Sequence, residues 1–594
     1  MELSSKIKIL PEDLTNKIAA GEVVDRPASV VKELVENAID AGATEITTII
    51  KDGGKALIQV VDNGSGMHQS DLMLAFQRHA TSKIFTYEDL VDIHTLGFRG
   101  EALASIASVA HVEGKSVLPG ESSGHLLRIE GGVMHGMEAT AGQPGTSIAV
   151  KHLFYNTPAR RKFLRANSTE YRQILTVLNR FFLAFPDIQF TLVNEGELVL
   201  ELKPQAHDER VAAVLGQRVQ KNLIPIANEG PIQISGFTGN QDTMRSSRGD
   251  QYLFFNRRYF SNKSLNYAAV SAYGDILPRG YFPVYIIFLS MPPEQADVNV
   301  HPTKMEIKFA NEALVFSTVR GAIKRALTTN AVVPELSSDK KMPGLVMPAA
   351  TGSDPRQNRF DFRSGRPPLT TTEPVNITGQ AGPPPNHEDA PAEFRNASAP
   401  RSKEIYERIN VWQIHNKYIV SQIKSGLIII DQHVAHERIL YEQALDNFER
   451  RKPASQQLLF PQVVELSAED YSLLLDIVPF LERIGFIVNA FGKNTVVVEG
   501  VPSGLRIRDD ERILLDILDQ FKREKKESID IRDNVAKSFA CHSAIKAGEP
   551  LSLESMNSLI DQLFVTREPY FCPHGRPVII TLSLDELDRR FRRH

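Results

Sequence analysis

The sequence predicts a multidomain α/β (α+β) protein, and three observations carry that expectation. The chain has 594 residues, too many for one hydrophobic core, so roughly two to four domains are expected. Residues 1–205 mix amphipathic helical patterns with alternating strands such as Glu45-Ile46-Thr47-Thr48-Ile49-Ile50, the pattern of helices layered on one face of a mixed sheet. Residues 334–402 hold 12 of the chain's 34 prolines, with Gly, Ser, Thr and Asn filling much of the rest. That composition is expected of a disordered linker between two folded parts.

Bulk properties exclude several classes. A formal net charge of -4 rules out a globally basic nucleic-acid binder but leaves room for local basic patches. Two cysteines are too few for a disulfide framework. No apolar run approaches the ~18 residues of a membrane span, and Met1 to Leu10 lack the apolar stretch of a signal peptide. A cytoplasmic setting and no membrane partner are expected.

In chain order, the first informative element is the segment from Pro27 to Gly42. Proline suits the first turn of a helix and glycine its end. Glu33, Asn37 and Asp40 fall at i, i+4 and i+7 and share one face, while Val31, Leu34, Val35, Ala38 and Ala41 can pack the other. A carboxylate and an amide one turn apart can hold a water and a metal ion, although such a polar face alone is usually just solvated surface. The strand Ala56-Leu57-Ile58-Gln59-Val60-Val61 then stops at Asp62-Asn63-Gly64-Ser65-Gly66, putting a second carboxylate at a strand end. Leu96-Gly97-Phe98-Arg99-Gly100 follows as a glycine-flanked loop able to move over a phosphate chain.

Glu33 to Asn37, the Asp62-x-Gly64-x-Gly66 turn, the Gly97-to-Gly100 loop and Gly145-Thr146 resemble the four nucleotide motifs of the GHKL ATPases (gyrase, heat-shock chaperone, histidine kinase and MutL). Ala19-Ala20-Gly21-Glu22-Val23-Val24, His79-Ala80-Thr81-Ser82-Lys83 and Phe154-Tyr155-Asn156-Thr157-Pro158-Ala159-Arg160-Arg161 resemble the MutL family of DNA mismatch repair proteins in particular. The resemblance covers nearly all of the chain except the linker. It implies a GHKL ATPase domain over residues 1–205 that uses ATP and magnesium, in which Glu33 is the catalytic base and Asn37 holds the magnesium. Asp62 would accept from the adenine amino group. Asp40, Gly64, Gly66, Ser82, Lys83, Gly97, Phe98, Arg99, Gly100 and Thr146 would complete the site. Over residues 206–333 the same resemblance implies a small ribosomal-protein-like α/β transducer domain, whose Lys304, after His301-Pro302, would reach the γ-phosphate.

Basic residues cluster twice. Residues 151–165 carry five Lys or Arg and no acid, with aromatics interleaved, and a second stretch holds Arg245, Arg248, Arg257, Arg258 and Lys263. A basic run is commonly a solvated face. The functional alternative is contact with DNA phosphates, through Arg160, Arg161, Lys162, Arg257, Arg258 and Lys263.

After the linker, residues 403–594 read as an α+β C-terminal domain, with an outer subdomain over 466–535. The strand Leu427-Ile428-Ile429-Ile430 runs into Asp431-Gln432-His433-Val434-Ala435-His436-Glu437, where a carboxylate and an imidazole converge at a strand–helix junction. On that segment alone a capping Asp is the plainer alternative. Cys572-Pro573-His574 adds a soft-ligand pair, and Cys541 lies in Ala540-Cys541-His542. These three segments resemble the metal site of MutL proteins of the endonuclease-bearing type. Carried over position by position, Asp431, His433, Glu437, Cys541, Cys572 and His574 are the implied ligands, for zinc and/or manganese, with Asp431 and Glu437 catalytic. The family's pattern has Ala after Asp-Gln-His, where this chain has Val434. Five or six ligands suggest two ions about 3.5–4 Å apart, able to stabilise the attacking and leaving oxygens of a phosphodiester. Finally, Gln456-Gln457-Leu458-Leu459-Phe460-Pro461 reads as a plain core strand or as a peptide resembling those that dock on the replication sliding clamp, through Gln456, Leu458, Leu459, Phe460 and Pro461.

The function implied is a bacterial, nucleoid-associated mismatch repair factor. It would be an ATP-switched homodimeric clamp on DNA, coupling the mismatch sensor MutS to incision by a latent endonuclease. The alternative is a non-catalytic matchmaker whose metal is structural.

Overall fold

The computed structural model describes residues 24–86, 95–278, 280–297, 306–329, 411–449, 455–503, 513–524 and 530–593. The Pro-rich stretch 334–402, the Ala19–Val23 motif and Lys304 lie outside the described residues.

The helix Pro27–Asp40 forms as its sequence requires. Proline sits in the first turn, and after Ala41 the backbone turns through Gly42 at φ +73°. Its inward stripe of Val30, Val31, Leu34, Val35 and Ala38 is buried in the first core. That core is the face of an eight-stranded mixed sheet. Its strands are β1 (Glu45–Lys51), β2 (Leu57–Asp62), β3 (His111–Val117), β4 (Ser123–Glu130), β5 (Val133–Ala141), β6 (Gly145–Lys151), β7 (Gln189–Asn194) and β8 (Glu197–Leu202). Their spatial order is β5-β4-β3-β6-β2-β1-β7-β8. The period-2 alternation of β1 puts Ile46, Thr48 and Ile50 inside. β1 runs parallel to β7 and antiparallel to β2, which makes the sheet mixed. The helix Asn167–Ala184 packs beside Pro27–Asp40 on the same face.

Arg210, fully buried, joins this region to the next. Its guanidinium donates to five backbone carbonyls, those of Phe182, Phe185, Pro186, Ile188 and Lys203. A cation there also suits the C-terminal end of Asn167–Ala184. The second sheet follows, with strands β9 (Leu223–Asn228), β10 (Gln233–Gly239), β11 (Gln251–Phe255), β12 (Arg258–Phe260) and β13 (Tyr285–Ser290), in the order β12-β11-β13-β10-β9. The helices Lys263–Ala272 and Glu312–Thr329 contribute Leu265, Ala269, Val319 and Ile323 to its core.

In the C-terminal region, Val411–Ile414, Tyr418–Ile423, Gly426–Asp431 and Ile579–Ser583 form a four-stranded antiparallel sheet in that order. Ile419 and Ile430 face inward onto Ala435, Ile439, Leu559 and Leu563 of the helices Gln432–Glu449 and Leu553–Val565. The opposite face presents Trp412, Ile414, Tyr418 and Ile580 to solvent. A separate sheet pairs Thr495–Pro502 with both Ser455–Glu465 and Ile487–Ala490, and packs on Ala468–Ile484 and Ile513–Glu524. The outer unit expected over 466–535 therefore also takes in Ser455–Glu465, because Gln456 pairs with Val501.

Charged side chains from either side of residues 334–402 meet. Arg245 pairs with Asp250 at 3.1 Å, Asp470 at 3.2 Å and Asp519 at 3.5 Å, and Lys522 lies 2.5 Å from Asp470. Burial alone would raise the Asp470 carboxyl, but these two cations hold it far below the ordinary range. Arg172 pairs with Asp476. Arg245, expected on a basic outer surface, is thus an interior cation, since buried carboxylates need a partner.

Candidate nucleotide pocket and metal centre

The polar face of Pro27–Asp40 is organised by charge. Asp40 accepts from Leu96 N–H at 2.8 Å through Oδ1 and from Gly97 N–H at 2.9 Å through Oδ2, so it anchors the root of the glycine loop. Lys83 Nζ donates to Asp40 Oδ2 at 2.6 Å and to Asn37 Oδ1 at 3.0 Å. Glu33 lies 2.8 Å from Lys32 Nζ, which also reaches Glu36 at 3.0 Å. A Cβ added at Gly97 would stand 3.0 Å from Lys83 Nζ, so a larger residue there would crowd the lysine.

β2 ends at Asp62. Its Oδ1 accepts from Gly64 N–H at 2.9 Å and from Thr146 N–H at 3.3 Å. Burial pushes the carboxyl above its ordinary pKa, and these two donors only partly offset that. Gly64 is obligatory, because a Cβ there would sit 2.9 Å from Ala41 Cβ and 2.9 Å from Ala41 O. Phe98 is buried, and Arg99, exposed, lies over its ring. The glycine loop thus lies against the end of Pro27–Asp40, and the Asp62 turn abuts Ala41 just beyond the same helix. Ser82 belongs to the loop that delivers Lys83, and Gly66 and Gly100 both turn through positive φ.

The basic residues divide. Arg161, Lys162 and Lys263 are exposed, Arg160 is half-buried, and Phe163 beside them is 85% exposed. Arg257 is exposed and pairs with Asp187 at 3.0 Å. Arg258 departs from the DNA-contact expectation. It turns inward, donating to Thr95 O at 2.7 Å; burial lowers its pKa, and the carboxylates of Glu36, Asp40 and Glu33 only partly offset that.

At the C-terminal site, three of the six expected ligands converge. Glu437 is 1% exposed, and its Oε1 lies 2.6 Å from His574 Nδ1 and 3.0 Å from Cys541 Sγ. These three are the group among the described residues with metal-ligand geometry. Glu437 comes from the helix Gln432–Glu449, Cys541 from Ile531–Ser543, and His574 from the turn after Cys572. Burial would raise the Glu437 carboxyl, but hydrogen bonds from His574 and Cys541 and the charges of His574 and His433 bring it below its usual value. Glu437 Oε2 is buried with no hydrogen-bond partner. A buried carboxylate with one oxygen against a thiol and an imidazole and the other orphaned is a donor set that fits a transition-metal ion.

The other three expected ligands stand differently. Asp431 Oδ1 accepts from His433 N–H at 3.0 Å and Val434 N–H at 3.1 Å, so it caps the helix rather than joining the group. Cys572 is buried and its sulfur accepts from His574 N–H at 3.3 Å. His433 Nδ1 lies 2.8 Å from Ile545 O. A carbonyl only accepts, so Nδ1 carries a proton, and in the neutral ring Nε2 offers its lone pair. His436, which sequence reasoning passed over, accepts from Ile545 N–H at 3.0 Å. The place of these two rings on one helix was the available signal for it.

Comparison with known proteins follows the same division. Residues 25–131 match the family "Histidine kinase-, DNA gyrase B-, and HSP90-like ATPase". Residues 211–328 match "DNA mismatch repair protein, C-terminal domain" and residues 411–551 match "MutL C terminal dimerisation domain". The DNA mismatch repair protein MutL of Chlorobium phaeovibrioides is 43% identical over 98% of this chain and 99% of its own length. The chain belongs to the MutL family. MutL of Chlorobium phaeobacteroides (strain BS1) is 40% identical, and that of Pelodictyon phaeoclathratiforme 42%, each over 99% of this chain and 100% of the relative. This MutL-family chain is a GHKL ATPase, and its Glu437–Cys541–His574 group supports a latent metal-dependent endonuclease. Among the described residues no helix is long and apolar enough to cross a membrane.

Proposed function

We propose that the protein is a dimeric, ATP-switched DNA clamp that couples mismatch recognition to strand incision by its own C-terminal endonuclease. The observation that carries this reading is the buried Glu437, whose Oε1 meets Cys541 and His574 while its second oxygen is unpartnered, in the same chain as an ATPase domain. In that pocket Glu33 activates the hydrolytic water, Asn37 holds the magnesium, and Asp62 selects adenine. Lys83, Thr146 and the loop from Gly97 to Gly100 surround the phosphates, with Lys304 contributing from the second domain.

At the C-terminal site Glu437, Cys541 and His574 would hold the metal, joined by His433 through Nε2 and by the adjacent Cys572. Zinc suits the thiolate and imidazole donors, and manganese the carboxylate. When bound, the metal would act as a Lewis acid on the scissile phosphate. The chain's own part is to exclude water from Glu437, to keep it ionised through His574, and to fix the His433 tautomer through Ile545.

Further features support the partners. The outward face of the four-stranded sheet exposes Trp412 by 51% and Ile580 by 56%, an apolar surface suited to a second copy of the chain. Pairing in Ser455–Glu465 is interrupted between Gln457 and Gln462. The segment between them pushes Leu459 and Phe460 out to 88% and 78% exposure, as a peptide presented to the sliding clamp requires. Arg161, Lys162 and Lys263 offer phosphate contacts for DNA, and MutS would supply the mismatch signal. Work on DNA places the protein in the bacterial cytoplasm.

The matchmaker reading draws on Asp431, which caps a helix instead of joining the ligand group. Manganese-supported nicking separates the two readings, and metal bound per chain tests the site that both require. Full-length protein loaded with zinc and dialysed should retain metal, and Cys541→Ser and Glu437→Gln should each lower it. Unchanged metal content in both variants would remove the site and the incision reading with it.

A further inference from the structure

Arg258 is the place where the second sheet touches the nucleotide machinery. It follows the two-residue turn Asn256-Arg257, both at positive φ (45° and 68°), and pairs with Phe255 across the β11–β12 hairpin. Such a turn defines the direction of the hairpin tightly. The hairpin is tied to the ATPase region at three successive residues. Arg257 pairs with Asp187, Arg258 donates to Thr95 O at 2.7 Å, and the Tyr259 ring lies 4.0 Å below the Arg180 guanidinium.

The Thr95 contact is the consequential one. Thr95 Oγ1 donates to Gly97 O at 2.7 Å, while Leu96 N–H and Gly97 N–H donate to Asp40. Thr95 to Gly97 is thus a short rigid root from which the glycine loop departs. It is held on one side by Asp40, at the end of the helix that carries Glu33, and on the other by Arg258. Arg258 also joins Lys32, Glu36, Leu96, Arg180 and Tyr259 in lining one cleft behind that helix. Lys32 balances Glu33 and Glu36 there, and Arg258 adds a second cation whose charge is felt first by Glu36, then by Asp40 and Glu33.

We propose that Arg258 is a positioning residue for ATP hydrolysis, fixing the root of the glycine loop to the second sheet so that the loop closes in register over the triphosphate. It does not touch the nucleotide. It acts through Thr95, Gly97 and Asp40, and it makes the attitude of the second sheet a determinant of turnover. A planar guanidinium suits this place because it can donate to a carbonyl while facing several carboxylates. On this proposal Arg258 is not a DNA contact.

The test uses the full chain with Arg258→Ala and Arg258→Lys. Steady-state ATP hydrolysis over a range of ATP, proteolytic protection of the loop by a non-hydrolysable ATP analogue, and DNA affinity are measured on each. Small misplacements of catalytic parts cost up to about 10²-fold. Arg258→Ala is expected to lower kcat at least ~10-fold with KM changed less than ~3-fold, to lose the analogue's protection of the loop, and to keep its DNA affinity. Arg258→Lys, which keeps one charged donor, should regain a large part of both kcat and protection. Unchanged kcat in Arg258→Ala with reduced DNA affinity overturns the proposal in favour of a DNA contact. If Arg258→Ala is also less stable, the lysine variant decides. A stable Arg258→Lys that regains neither turnover nor protection overturns the positioning role.

Discussion

Lys83 and Asp40, 43 residues apart, meet at 2.6 Å with the lysine side chain 19% and the aspartate 5% exposed. The same ammonium reaches Asn37 Oδ1, so one cation ties together the two polar residues at the end of the helix. Removing it leaves a nearly buried carboxylate with only its two backbone donors. Lys83→Ala should therefore cost about 1.5–3 kcal/mol of stability, the range for hydrogen bonds to charged groups. It should also weaken ATP binding, as read by thermal melting with and without magnesium-ATP. A variant that melts and binds like the parent would show that the pair is incidental.

Glu33→Ala should bind ATP normally and hydrolyse it ~10²–10⁴-fold more slowly, the usual contribution of a general base. The check is a nucleotide-binding isotherm beside single-turnover hydrolysis. Asn37→Ala should instead lose the magnesium-dependent part of binding itself. Near-parental turnover in Glu33→Ala would reassign the base.

Asp62 makes function and stability pull in opposite directions. Its folded pKa lies above the ordinary value because burial disfavours the charge. The folded chain therefore holds that proton more tightly than the unfolded chain, and stability from this group falls as pH rises from 3.8 through the raised value. At neutral pH the charge works against folding, so Asp62→Asn should leave the melting temperature unchanged or higher. The same variant should lose ATP affinity, and parental affinity should decline with falling pH earlier than for an ordinary carboxylate. Titration of ATP binding against pH, with melting curves of both proteins, checks each sign.

How far the chain could be read in advance follows from which interactions are local. The helix Pro27–Asp40 and the alternating strands were legible because period and end residues are properties of a single segment. The Asp62 turn was legible for the same reason. Arg245 and Arg258 were not, since a run of basic residues looks alike whether it faces phosphate or buried carboxylates supplied from elsewhere in the chain. Asp431 was ambiguous between cap and ligand until the helix start at Gln432 gave its oxygen two backbone donors. The convergence of Glu437 with Cys541 and His574 joins three elements far apart in sequence, and no periodicity encodes that.

Replacing Leu459 and Phe460 by Ala should leave stability nearly untouched, because both side chains are already exposed. It should abolish stimulation of nicking by the sliding clamp and preserve clamp-independent nicking. Equal stimulation of parent and variant would reduce Ser455–Glu465 to an irregular strand.

The most direct measurement is manganese-supported nicking of supercoiled plasmid by the full chain and by Glu437→Lys, with ATP hydrolysis followed on the same preparations. The substitution removes the carboxylate that meets Cys541 and His574 and puts a cation on the same helix position. The account predicts that nicking is lost while ATP hydrolysis continues at the parental rate. Full nicking by a folded Glu437→Lys protein would contradict it and leave the chain an ATP-driven matchmaker.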